Sequence, residues 1–286
     1  MCVDKLYKMN FMKSVKVIIG VCLIFLAVNS CRKLEYLATL DEVILSQQET
    51  QTDEVLSDVD IIADEAVNLN SNQLKSGTID NSIYLSSCTV VTLNTQSSPQ
   101  TLTLDFGNGC TGKDGKVRSG KIIVTSVSFN TFPSVRMKTF ENFAVDGKSV
   151  SGSITKTILK DNVNNVRTAT IQEDITITLP NNEGTAHRVA DFTRQYQLNT
   201  LGIQDDNRIV SWGTFAFTRA SGVTVTKTVL SANPLVFSGA CHHIVSGIVT
   251  FVTSTSHSWT IDFGDGTCDD KATLTIGTKY KVITIR

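Results

Sequence analysis

Between Leu40 and Leu69 the pattern is helical: Val55, Val59, Ile62, Ala66 and Leu69 recur at spacings of four and three, on one face of an α-helix. Beyond Asn72 the period changes to two. Thr, Val and Ile alternate there in runs broken by turn-forming residues, the pattern of half-buried β-strands. The runs predict strands at Thr89–Asn94, Thr101–Phe106, Lys121–Phe129, Met137–Val145, Ser149–Leu159, Arg167–Leu179, His187–Leu198, Ile209–Arg219, Val223–Leu230, His243–Val252, Ser258–Phe263, Lys271–Ile276 and Lys279–Ile285. Breaks such as Asp146-Gly147, Ser221-Gly222 and Gly277-Thr278 separate them. Connections this short join antiparallel neighbours, because a parallel crossover takes about a dozen residues or more. The expected fold is therefore mostly β: a large curved antiparallel meander, whether open sheet, sandwich or partial barrel, with an N-terminal amphipathic helix. Within 167–179, Ala169, Ile171, Ile175 and Ile177 are expected to face inward and Thr168, Thr170, Glu173 and Thr176 to face water.

The first thirty residues follow a different rule. Lys13 and Lys16 precede an apolar run from Val17 to Val28, and Asn29 and Ser30 lead to Cys31, the three zones of a secretory signal. The run is shorter than the ~20 apolar residues a membrane-spanning helix needs. Val28-Asn29-Ser30-Cys31 resembles a bacterial lipobox, which implies cleavage before Cys31 and acylation of its thiol, palmitate being a typical chain. Burial of acyl chains at ~0.8 kcal/mol per CH₂ would hold the protein to a membrane. The alternative is a soluble secreted protein with a free Cys31, and Met9 or Met12 could be the true start. The expected organisation is a lipoprotein signal peptide at 1–30, lipid anchor, linker and acidic amphipathic helix at 31–75, and an antiparallel β domain at 76–286. Arg32-Lys33 follows the cysteine where surface-directed lipoproteins carry acids, which favours the periplasmic face of the outer membrane over the cell surface.

Charge excludes one class of partner. Removing residues 1–30 takes four of the 26 basic and one of the 27 acidic residues, leaving 22 against 26, a balance that argues against nucleic acid. The acids are unevenly spread. Asp41, Glu42, Glu49, Asp53, Glu54, Asp58, Asp60, Asp64 and Glu65 occur with no Lys or Arg between Asp41 and Glu65, and read as the solvated face of the helix; a calcium or partner surface is the alternative.

Four cysteines remain after export: Cys88, Cys110, Cys241 and Cys268, in a compartment where disulfides persist. Partners across an antiparallel hairpin lie symmetrically about its turn. Cys88 and Cys110 are centred on Pro99, within Ser97-Ser98-Pro99-Gln100, and Cys241 and Cys268 on the polar run Thr253-Ser254-Thr255-Ser256, so each pair is expected to staple its own hairpin. The second strands of the two units are near copies, Leu104-Asp105-Phe106-Gly107-Asn108-Gly109-Cys110 and Ile261-Asp262-Phe263-Gly264-Asp265-Gly266-Thr267-Cys268. Together with Arg118-Ser119-Gly120-Lys121-Ile122, Ile244-Val245-Ser246-Gly247 and Asp269-Asp270-Lys271-Ala272-Thr273, these motifs look like those of a group of Bacteroidota lipoproteins of no assigned activity, in order over most of the mature chain. The resemblance implies lineage and anchoring, not a reaction.

Candidate chemistry is sparse. Asp262, Asp265, Asp269 and Asp270 are calcium candidates, set against Asp-Gly turns that would need positive φ at Gly264 and Gly266. His242 and His243 point to opposite faces of a strand and His257 is expected opposite Val252, so the histidines do not converge on zinc; His187 is isolated. Glu141, Asp146, Glu173 and Asp174 offer no spacing that selects a glycosidase pair. Gly147-Lys148-Ser149 is expected to be a hairpin turn rather than a phosphate loop. Phe129, Phe132, Phe140, Phe143, Trp212, Phe215 and Phe217 are read as core, with a sugar-stacking or apolar binding surface as the alternative. The expected function is a membrane-anchored envelope lipoprotein serving as a non-enzymatic binding or structural module for an unknown envelope ligand or protein. An envelope hydrolase acting on glycans and a lipid or apolar-ligand carrier are the alternatives. No cofactor is expected beyond the covalent lipid on Cys31, with calcium the exception.

Overall fold

The computed structural model describes residues 52–69, 82, 84–161, 166–197, 208–241 and 243–284. All belong to the second of two compact units, Gln51–Arg286. Cys31 and the export signal lie outside the described residues, as does the helical pattern before Thr52. One helix, α1 (52–68), precedes a single antiparallel sheet of fifteen strands. In chain order they are β1 (Val90–Asn94), β2 (Gln100–Asp105), β3 (Cys110–Thr111), β4 (Val117–Ser126), β5 (Ser134–Val145), β6 (Lys148–Asp161), β7 (Val166–Thr178), β8 (Thr185–Gln197), β9 (Arg208–Thr218), β10 (Thr224–Val229), β11 (Leu235–Ser238), β12 (His243–Thr253), β13 (Ser258–Asp265), β14 (Lys271–Ile276) and β15 (Lys279–Thr284).

All thirteen expected strands are present, with shifted ends. The two that were not expected, β3 and β11, continue a neighbour after an excursion. β2 and β3 both pair with β4, and β10 and β11 both lie between β9 and β12. Each is thus one strand interrupted, by Phe106–Gly109 and by Leu230–Pro234, and the connectivity is a meander without crossovers. The turns obey the residues in them: Asp146 and Gly147 adopt φ 49° and 76°, so Val145 pairs with Lys148 across a two-residue loop. Gly147-Lys148-Ser149 is accordingly a hairpin turn. Close approach requires glycine elsewhere: at Gly152 (φ 105°) a Cβ would lie 2.1 Å from the Asp174 carbonyl oxygen on β7.

Both disulfides pair as the spacing indicated, Cys88 with Cys110 and Cys241 with Cys268, each with Cα atoms 5.6 Å apart. The registers differ in detail. Leu93 pairs with Leu102, which centres the first hairpin between Ser97 and Ser98 instead of on Pro99, and Cys110 reaches Cys88 from beyond the Phe106–Gly109 excursion. Val252 pairs with Ser258, so His257 stands opposite Thr253, whose N–H donates to the His257 carbonyl at 2.8 Å.

The sheet buries alternate residues on the face that α1 covers. Val55, Leu56, Val59, Ile62, Ala63 and Ala66 of α1 join Leu102, Leu104, Ile122, Val124, Ile154, Ile171 and Ile175 in one core cluster, with Leu69 packed against it. Each fully buried Leu, Ile or Val contributes roughly 1.5–3 kcal/mol relative to exposure, enough to fix which face of the helix turns inward. On β7 the inward set is Ala169, Ile171, Glu173, Ile175 and Ile177. Glu173 was expected to face water, but strict alternation gives it the parity of Ile171 and Ile175, and a cation on β8 meets it there.

Candidate functional site: a cavity between the helix and the sheet

The acidic face of α1 is not solvated as the sequence suggested. Asp53, Asp60 and Asp64 recur at spacings of seven and four, beside the apolar stripe, and lie against basic residues at inward positions of the sheet. Arg188 of β8 takes Glu173 at 2.8 Å through Nε and Asp53 through Nη1. Lys138 and Lys156 converge on Asp60, Lys156 at 3.0 Å, and Lys156 also reaches Asp64 at 2.7 Å. Asp64 accepts a longer contact from Arg136 at 3.5 Å. At the sheet's other flank Arg118 binds Asp58 and Asp114, the latter at 2.6 Å, with Lys116 3.2 Å from Asp58. Lys138, Lys156 and Arg118 are buried, and burial of charge is tolerable because each is paired.

The electrostatics follow from this pairing. Burial raises the Asp60 carboxyl, but Lys138 and Lys156 overcome that effect and hold it well below the usual range. Burial draws Lys156 towards neutrality, and Asp60 and Asp64 outweigh it, leaving the ammonium above its ordinary value. At Glu173 burial dominates over Arg188 and lifts the carboxyl. Arg136 moves the other way, lowered by burial and by the neighbouring charge of Arg167.

Beside this rail the helix and sheet enclose a cavity of about 580 Å³. Asp53, Leu56, Ser57, Asp60, Ile61 and Asp64 form the helix side, and Phe192, Ile209, Phe215, Val229, Leu235 and Ile244 give an apolar floor. Arg188 and Arg194, six residues apart on β8, mark its polar ends, roughly 20 Å apart at ~3.3 Å per residue. Arg188 is paired with two carboxylates, Glu173 and Asp53. Arg194 differs: among the described residues no carboxylate lies within ion-pair distance, its hydrogen bond goes to Tyr196, and its guanidinium lies 5.3 Å from the Phe192 ring centre. A smaller cavity of about 130 Å³ adjoins at Asp64 and Tyr196, bounded by Arg136, Lys156 and Arg167. The Arg167 Nε is buried there without a hydrogen-bond partner.

The other candidate residues do not converge. Asp262 accepts from the Gly264 N–H at 2.9 Å, Asp265 from the Thr267 N–H and hydroxyl at 3.1 and 2.6 Å, and Asp269 from the Lys271 N–H at 3.3 Å, so each caps its own turn. Asp270 is exposed, and no group of three or more His, Cys, Asp or Glu placed to hold a metal ion occurs among the described residues. His243 lies in β12 and His187 contacts Asp174 at 2.8 Å on the opposite face of the sheet; His242 lies outside the described residues. Asp146 accepts from the Val117 N–H at 2.9 Å, and Glu141 stands exposed opposite Lys121. Among the aromatics Phe129, Phe143 and Phe217 are core, Phe132 is exposed, Phe140 and Phe215 are partly buried against the core, Phe215 lines the cavity, and Trp212, paired with Thr193, has the opposite parity on β9.

The cationic side of the site was not anticipated. Its signal was present in strands where a basic residue occupies the apolar parity, as in Ile154-Thr155-Lys156-Thr157-Ile158 and Arg188 to Arg194, facing a helix rich in acids and free of Lys and Arg. Searches against family models, curated proteins and solved structures find no match to this chain.

Proposed function

We propose that this protein is an envelope lipoprotein, tethered by lipid on Cys31, whose β domain is a non-enzymatic binding module with the cavity beneath α1 as its binding site. The observation that carries this reading is the cavity itself. Its volume of about 580 Å³ falls within the roughly 300–1,000 Å³ usual for small-molecule sites, and its apolar floor with a few placed polar groups is their usual lining. The two disulfides hint at an extracytoplasmic setting, as an exported protein requires. No helix long and apolar enough to cross a membrane occurs among the described residues.

A second reading rests on Glu173, a buried carboxyl raised above its ordinary value within the same cavity, as a general acid would be. Its bond to Arg188 favours a structural pair. Two measurements separate the readings. Native mass spectrometry of the gently extracted protein should reveal a co-purifying small molecule, and a glycan-hydrolysis screen of wild type and Glu173→Gln should show no activity for the substitution to abolish. Membrane fractionation should find wild type sedimenting and Cys31→Ser released. A Cys31→Ser protein that still sediments, or glycan turnover lost with Glu173, would overturn the proposal.

A further inference from the structure

We infer that the cavity takes an amphipathic anion: an acyl chain on the floor of Phe192, Ile209, Phe215, Leu235 and Ile244, with a carboxylate or phosphate head held by Arg194 and, from the adjoining small cavity, Arg167. This deepens the binding reading above and rests on it. The polarity of the site follows from its charges. Arg194 lines the large cavity, and Arg136, Lys156 and Arg167 line the smaller one that shares Asp64 and Tyr196 with it; Asp60 and Asp64 are each already engaged by two cations, Lys138 and Lys156 for one and Lys156 and Arg136 for the other. The described residues therefore leave an excess of positive charge at partly buried positions, and such a charge is costly until it is paired. Arg167 adds a buried Nε with no acceptor among the described residues; Arg136, lowered chiefly by burial, feels its like charge as a lesser effect. Guanidinium groups match the two oxygens of a carboxylate or phosphate with parallel N–H donors.

The opposite end suits an anion less well, because Arg188 is already charge-paired with Glu173 and Asp53 and Lys227 lies over the Phe215 ring. A chain leaving Arg194 crosses β9 at Ser211, its register partner, then β11 at Leu235 and on to β12, where Ile244 lies opposite Phe237, three strand spacings of ~4.8 Å or about 15 Å over a floor that is apolar apart from Ser211. That length suits a long acyl chain better than a compact ring. A simple inorganic anion would leave this floor unused.

The test uses the full-length protein and reads binding by isothermal titration calorimetry. Three probes are titrated: hexadecanoate, hexadecyl phosphate and hexadecanol. Both anions should bind at least about ten-fold more tightly than the alcohol, the size of one charge-assisted hydrogen bond, and the tighter anion names the head group. Arg194→Gln and Arg167→Gln should each erase most of that ratio while leaving hexadecanol affinity unchanged; Arg194→Lys should keep part of it. Shortening the chain should weaken binding by about four-fold per CH₂, or ~0.8 kcal/mol. Circular dichroism identifies any variant that fails to fold, and the unaltered cavity still gives the anion-to-alcohol ratio. Equal affinities for acid and alcohol would overturn the anion site while leaving the binding module standing. Failure of all three probes to bind folded protein would overturn both. An anion preference untouched by both glutamine variants would remove Arg194 and Arg167 as the head-group site.

Discussion

Substituting Asp60 by Asn tests whether the charged rail, rather than the apolar stripe alone, seats α1. Asp60 is the carboxylate in ion-pair contact with Lys138 among the described residues, whereas Lys156 retains Asp64 when Asp60 is lost. The substitution therefore leaves one buried ammonium, Lys138, without its counter-charge. Breaking a buried pair in this way typically costs ~3–5 kcal/mol. Asp60 itself keeps 26% of its side-chain surface exposed, so water can partly replace it, and we expect the lower end, about 3 kcal/mol. For a domain of this size each kcal/mol lowers Tm by ~2–4 °C, a drop of about 6–12 °C. Thermal melts under non-reducing conditions measure it. A solvated surface acid would cost under ~0.5 kcal/mol. The control is Asp60→Asn with Lys138→Met, which removes both charges and should recover most of the loss, since apolar replacement of a buried pair is near neutral. A single variant melting within about 2 °C of wild type, a shift expected of surface changes, would refute the reasoning, as would a double variant no better than the single.

Three further predictions address the pairing and the backbone. Asp60 lies below its ordinary pKa, so its stabilisation is complete above the unfolded carboxyl value of ~3.9 and is lost as pH falls from there towards its native value; Lys156 lies above its own, so its share is complete below ~10.4 and fades only at higher pH. Urea midpoints should fall below about pH 4 in wild type, and Asp60→Asn should lack part of that limb. Reduction of either disulfide, closing loops of 22 and 27 residues, should cost about 3 kcal/mol in denaturant titration, and non-reducing peptide mapping should join Cys88 to Cys110 and Cys241 to Cys268; a crossed pair contradicts the two-hairpin arrangement. Gly152→Ala, placing a Cβ 2.1 Å from the Asp174 carbonyl at φ 105°, should cost more than about 2 kcal/mol in the same titration; a neutral result would mean that β6 and β7 do not approach so closely.

Local chemistry explains how much of the fold could be read in advance. Asp146-Gly147 supplies the positive φ angles that a two-residue loop demands, so the β5–β6 hairpin was readable from six residues. The same holds for α1, whose stripe from Val55 to Ala66 has the period of a helix face. β3 and β11 escaped because each is a short continuation whose ladder is set by its neighbours, β4 for one and β9 with β12 for the other. Two to four residues carry too little periodicity to announce themselves.

The sequence by itself determined the mostly β meander, the amphipathic helix and the pairing of four cysteines, all of which depend on residues close along the chain or symmetric about one turn. Tertiary structure alone decided that the acids of α1 meet Arg118, Lys138, Lys156 and Arg188, at separations of 60 to 135 residues in sequence. Hydrophobic periodicity records which side of an element is buried, whereas ion pairing depends on which two buried sides are brought together. Glu173 shows the difference. Its charge argued for water, and only the register placing Ile175 opposite Arg188, with Asp53 above it, makes the inward position tenable.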